Sequence, residues 1–235
     1  MFWRLILAHV VSDFLLQTKS VVGNKHRLKA NLIHGLVLLI VSTVIFIDML
    51  DFRILLMLFS ISVVHGLIDY GKSYLDRLTG NRWNWLLFLL DQLLHIVSIY
   101  LLLTLFYPGR GEIISREFLQ LTGEAGWLKG IVFFIFITAG GSYFTSSVCK
   151  RFTARLDDDD SLQNAGQYIG VLERIVIAAA ILIGRFELIG FLIAAKSIIR
   201  HNSKKDRSFS EYFLIGTLTS FLWAGLFTYL YILVR

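Results

Sequence analysis

Apolar residues run along this chain in stretches of about 15–25 positions, separated by short clusters that carry most of the charge. The runs predict helices at Phe2 to Gln17, Asn31 to Leu50, Phe52 to Lys72, Trp83 to Tyr107, Trp127 to Cys149, Tyr168 to Gly184, Phe186 to Arg200 and Glu211 to Val234. Helices that are apolar nearly all round belong in lipid or deep inside a bundle, because no water-facing side is left. The expected fold is therefore all-α, a polytopic helical membrane bundle of about eight transmembrane helices, or seven if Phe186 to Arg200 pairs with its predecessor as a re-entrant element. The first, sixth and seventh runs are short for a hydrocarbon core of ~30 Å, which implies local thinning, snorkelling flanks or shelter by neighbouring helices.

Composition agrees: 56% of the 235 residues are hydrophobic and 17% charged, too apolar for an ordinary soluble surface. With no Gly/Ser/Pro-rich linker, residues 1–235 read as one membrane domain, with a hairpin-bearing part at 1–107 and a C-terminal part at 127–235. The opening run carries His9 and Asp13 in its middle and ends without a small-residue cleavage site, so it reads as the first helix rather than a leader. Cys149 is the only cysteine, which excludes an intrachain disulfide.

The net charge of +6 follows a positive-inside pattern and calls for no nucleic-acid partner. Alternate connections are rich in cations: Lys19, Lys25, Arg27 and Lys29; Lys72, Arg77 and Arg82; Lys150, Arg151 and Arg155; Arg200, Lys204, Lys205 and Arg207. These face the cytoplasm, which puts both termini outside it.

Chemistry enters with the polar residues inside the apolar runs. The first helix carries His9 and Asp13 in HVVSDF, and the third carries His65 and Asp69 in HGLIDY, the same H-x-x-x-D-aromatic arrangement. The second helix has His34, and the fourth has Asp91 and His95 in DQLLH, the pair in reverse order. A spacing of four puts each pair on one helical face, and helices one and two read as a loose repeat of helices three and four. All seven residues fall in the cytoplasmic half of the bilayer, with Asp13 and Asp69 within about one turn of their helix ends. Nitrogen and oxygen donors without cysteine suit Zn, Mn or Fe, and seven ligands are enough for one or two ions. Asp13, Asp69 and Asp91 are also the catalytic candidates. Two other readings stay open, a buried network of hydrogen-bonded polar groups and a proton or ion pathway.

A second constellation lies in the C-terminal part: Glu173 and Arg174, Lys196 and Arg200 four apart, and Glu211. It reads either as a substrate-binding pocket for an anion or headgroup, or as snorkelling cations and ion pairs such as Glu173 with Lys196. The acid run Asp157 to Asp160 reads as a solvated loop, Gln17, Lys19 and Lys25 as contacts to headgroups or substrate, and Asn164 and Gly166 as a helix cap. His26 and His201 sit in basic loops and are left outside the site.

The opening LAHVVSDFLLQ, followed by a lysine, together with NAGQYIGVLERIVI, IGFLIAAKSIIR and EYFLIGTLTSF, resembles an uncharacterised bacterial integral-membrane family, domain of unknown function 3307. The family's defining first stretch is matched by His9, Asp13, Phe14, Gln17 and Lys25. Its second group is matched by Gly166, Gly170, Glu173, Arg174, Lys196, Ser197, Arg200, Glu211, Tyr212, Gly216 and Thr217. The resemblance implies a bacterial inner-membrane location but no reaction. A fainter likeness, to predicted metal-dependent membrane hydrolases, extends only to histidines and aspartates in helices.

The function expected from these residues is a metal-dependent hydrolase acting on a lipid or phosphorylated amphiphile at the cytoplasmic leaflet, with Lys196 and Arg200 holding an anionic headgroup. The alternatives are a proton- or ion-coupled transporter or channel, and a membrane subunit without chemistry.

Overall fold

A computed structural model describes residues 1–17, 28–80, 83–109, 124–153, 165–201 and 207–234, and all of its regular structure is helical. The helices are α1 (Phe2–Phe14), α2 (Leu28–Ile45), α3 (Phe52–Leu78), α4 (Asn84–Phe106), α5 (Glu124–Ile135), α6 (Gly141–Thr153), α7 (Ala165–Leu182), α8 (Glu187–His201) and α9 (Arg207–Val234). A π-helical turn at Phe136–Gly140 joins α5 to α6 without a break, so nine labels describe eight rods. Each expected helix is present, with shifted ends. The third runs on to Leu78, which moves Asp69 more than two turns from its end, and the second stops at Ile45 before a short 3₁₀ turn at Ile47–Met49. Lys19, Lys25, Arg27, His26, Asp157 to Asp160 and Asn164 lie outside the described residues, as do the side chains of Arg200 and His201.

Among the described residues, four helical stretches are long and apolar enough to cross a membrane: Phe52–Leu78, Asn84–Phe106, Gly126–Lys150 and Glu211–Leu233. The rods α1, α2, α7 and α8 have 13 to 18 residues. At 1.5 Å per residue even the longest of them falls just short of a ~30 Å core. Polarity is distributed as lipid demands. Phe52, Leu105, Phe191 and Leu222 are each at least 70% exposed, whereas His9, His34, His65, Asp69 and His95 are buried.

The chain packs as two units, Met1–Ile135 and Phe136–Val234. In the first, α3 packs between α2 and α4, and α1 packs against α2, α4 and α5. This enclosure explains how so short a first helix is tolerated: nine of its 13 residues are buried, including Ser12 and Asp13. The face that α4 turns inward carries Phe88, Asp91, Gln92, His95, Ile99 and Leu103, a stripe at spacings of three and four. Two glycines lie where α2 and α3 pack, and the contact at Gly35 is the close one. A β-carbon on Gly35 would sit 3.2 Å from the Ser62 carbonyl oxygen, and one on Gly66 would sit 3.7 Å from that of Asn31.

In the second unit, α9 packs on α6 and α7, and α8 lies against α7. A π turn leaves backbone carbonyls without their usual helical donors, and two side chains supply replacements. Arg174 Nη2 donates to the Thr138 carbonyl at 2.9 Å, and Trp223 Nε1 donates to that of Phe136 at 3.2 Å. Arg174 also donates to Ser220 Oγ at 3.1 Å and to Ser142 Oγ.

Candidate metal centre

Each inward-facing histidine and aspartate is placed by helical periodicity. His9 and Asp13 share a face of α1, and Asp91 and His95 share a face of α4. On α3 the face is longer, because Lys72 continues the series begun by His65 and Asp69. His34 enters from α2, where Gly35 and Gly66 let the two backbones approach until the His34 and His65 rings lie 5.0 Å apart.

All seven sequence-selected residues converge in the first unit. The Nε2 atom of His34 lies 3.0 Å from Asp13 Oδ1 and 3.4 Å from Asp69 Oδ2. The Nε2 atom of His65 lies 3.2 Å from Asp13 Oδ1 and 3.7 Å from Asp69 Oδ2. Four donor atoms tetrahedrally disposed at ~2.0–2.2 Å from one ion are about 3.3–3.6 Å apart, and the four measured edges straddle that range. A plain hydrogen-bond network fits less well. The single Nε2 of His34 meets both carboxylates and also the Gln17 amide nitrogen at 3.3 Å, yet it can carry only one proton.

The other two histidines are held with a bare nitrogen inside. His95 Nδ1 lies 2.7 Å from the Asp91 carbonyl, which can only accept, so this nitrogen carries the proton and Nε2 keeps its lone pair. The Gln92 amide donates to Asp91 Oδ2 at 3.2 Å, which turns its oxygen toward His9 Nε2 at 3.3 Å. His9 Nε2 then donates, and Nδ1 is the bare nitrogen. Both bare nitrogens are buried and make no hydrogen bond, and Asp91 Oδ1 is in the same position. Fixing an imidazole from its far side is how proteins prepare a metal ligand. Three overlapping groups have donor atoms mutually within 4.8 Å: His9, His65 and His95; Asp13, His34 and His65; Asp69, Asp91 and His95. The residues therefore fit a first-row divalent ion.

Sequence reasoning missed two participants. Lys72 was read as a loop cation, but its Nζ lies 3.0 Å from Asp91 Oδ2, and its place three residues after Asp69 was the available signal. Gln92 stands beside Asp91 in DQLLH, where nothing in the sequence distinguishes it from an ordinary polar neighbour. Gln17, expected at headgroups or substrate, instead touches His34.

The C-terminal constellation lies in the other unit and divides in two. Lys196 pairs with Glu173 at 2.7 Å and stands over the Phe213 ring, whereas Arg174 is taken up by the π turn and Glu211 is exposed on α9.

No curated protein and no solved structure matches the chain. A family match covers residues 1–115, which includes α1 to α4 and all seven histidine and aspartate residues, and ends before the C-terminal stretches. The part of the chain that carries the candidate metal ligands is thus similar to the family described as protein of unknown function (DUF3307).

Proposed function

We propose that the chain is a metal-dependent hydrolase of the bacterial inner membrane, acting on a lipid or phosphorylated amphiphile at the cytoplasmic leaflet. The observation that carries this reading is the meeting of Asp13, His34, His65 and Asp69 donor atoms at ligand-like separations, buried among apolar helices. Among the described residues, the carboxylates of Asp13, Asp69 and Asp91 lie near one ammonium, that of Lys72, and buried negative charge in excess calls for a cation.

A bound divalent ion supplies a water of lowered pKa and polarises a phosphoryl or carbonyl oxygen. The chain's own residues do the rest. Asp13 and Asp69 hold charge and position, Gln92 and the Asp91 carbonyl fix the imidazole tautomers, and the apolar walls formed by α1 to α5 exclude bulk water. The cation-rich loops support an orientation with both termini outside the cytoplasm.

Elemental analysis of the purified protein tests the reading. Stoichiometric Zn, Mn or Fe is expected, and His65→Ala and Asp69→Asn should each lose it together with hydrolysis of phosphorylated amphiphiles in vesicles. A metal-free protein that carries protons across liposomes would replace the enzyme with a transporter.

A further inference from the structure

We infer that the centre holds two divalent ions bridged by Asp69, one in a closed place and one in an open place where the reacting water binds. This rests on the metal-dependent reading above and specifies its architecture. Asp69 faces both sets of donors: Oδ2 lies 3.4 Å from His34 Nε2 and 3.7 Å from His65 Nε2, and the same carboxylate joins Asp91 and His95 in a buried group. A carboxylate has two oxygens, so it can serve two ions at once.

The two places differ in their supply of protein donors. Asp13, His34 and His65 form one buried donor group, and Asp69 Oδ2 lies 3.4 and 3.7 Å from the two imidazoles, so four protein donors stand around the first place, the number that structural sites have. Asp69, Asp91 and His95 give the second only three, the number that leaves a position for water in catalytic sites. That second place is nonetheless prepared. Asp91 Oδ2 is occupied by Lys72 and Gln92, which leaves Oδ1 bare, and His95 Nε2 is bare because Nδ1 is held by the Asp91 carbonyl. Two buried ligand atoms without hydrogen bonds, beside Asp69 that also faces the first place, are what a second ion would complete.

Charge then indicates the substrate. Among the described residues, three carboxylates and the Lys72 ammonium leave two negative charges, which one divalent ion cancels. A second ion leaves the centre positive within apolar surroundings, a condition relieved by a hydroxide and an anionic group such as a phosphate monoester or diester.

The experiment is a titration of the metal-stripped full-length protein in detergent with Mn(II), read by bound-metal stoichiometry and electron paramagnetic resonance. Wild type should bind two ions with an exchange-coupled spectrum. Asp91→Asn and His95→Gln should each bind one, with the uncoupled six-line signal of an isolated ion. A single ion in wild type, or two in both variants, overturns the two-ion centre while the metal-dependent reading stands. No ion in wild type overturns both. Because the wild-type count decides on its own, a variant that fails to fold does not protect the inference.

Discussion

Gly35 of α2 lies so close to Ser62 of α3 that a β-carbon would stand 3.2 Å from the Ser62 carbonyl oxygen, tighter than side chains normally tolerate. His34 precedes this contact and His65 follows it by three residues, so the spacing of the two backbones sets the spacing of the two imidazoles. Gly35→Val should push α2 away from α3 and lower metal affinity by about 10–100-fold, the range seen when support around a ligand is lost. Gly66→Ala, whose β-carbon meets Asn31 only at ordinary contact distance, should bind metal nearly as wild type does. Equal losses in the two variants, measured by competition with a chelating dye, would show that the close approach does not set the geometry.

Gln92 holds no ion, and His9 belongs to neither place of the two-ion centre; His9 packs beside the ligands His65 and His95, and Gln92 fixes its tautomer. Gln92→Leu removes the acceptor that places the proton on His9 Nε2, and the ring can then move its proton to the inner nitrogen. Metal affinity should fall by about tenfold or more with the fold intact. An affinity unchanged by Gln92→Leu would mean that His9 contributes nothing to metal binding.

In the second unit the π turn depends on a missing side chain. A β-carbon on Gly141 would lie 2.7 Å from Trp223 Cδ1 and 2.8 Å from Arg174 Cδ, which would displace both donors to the turn. Gly141→Ala should cost about 1–3 kcal/mol through overpacking, and Arg174→Met a similar amount by leaving buried acceptors without a donor. Thermal unfolding in detergent, with metal content measured alongside, is the check. Lowered melting temperatures without loss of metal are expected, because both residues belong to the second unit and the metal candidates to the first.

Arg4 of α1 reaches the 3₁₀ turn after α2, where Nη2 donates to Asp48 Oδ2 at 3.0 Å and Nη1 donates to the Ile45 carbonyl at 3.3 Å. The hydrogen bond from Arg4 holds the exposed Asp48 carboxyl below its usual range. A carboxyl whose folded pKa is depressed stabilises the fold above its unfolded pKa, and that contribution is lost as pH falls through the folded value. Asp48→Asn should therefore melt lower than wild type at neutral pH, by a small margin, and the gap should close below about pH 4. A gap that persists in acid would assign the effect to something other than charge.

The seven centre residues were legible because each is a polar group at helical spacing within an apolar run, a pattern that costs too much to be accidental in every helix at once. Convergence of the H-x-x-x-D faces followed from the repeat. Lys72 was not legible, since an expected helix end at that position made its charge look like loop charge; the helix instead continues to Leu78 and carries Lys72 on the His65 and Asp69 face. The glycine after His34 and the glycine after His65 were visible as letters, but their use depends on which carbonyl of the neighbouring helix lies opposite. The π turn left no mark, because its cause is a pair of donors, Arg174 and Trp223, that arrive from helices far along the chain.

The enclosure of α1 has a consequence for how the protein is made. It is synthesised before α2, α4 and α5, yet its buried faces are completed by these three, the last of which ends at Ile135. A 13-residue segment bearing His9, Ser12 and Asp13 is a poor candidate for independent insertion into lipid. It is therefore expected to settle only once α5 has been made, so that the earliest made of α1 to α5 is the one whose enclosure is completed last.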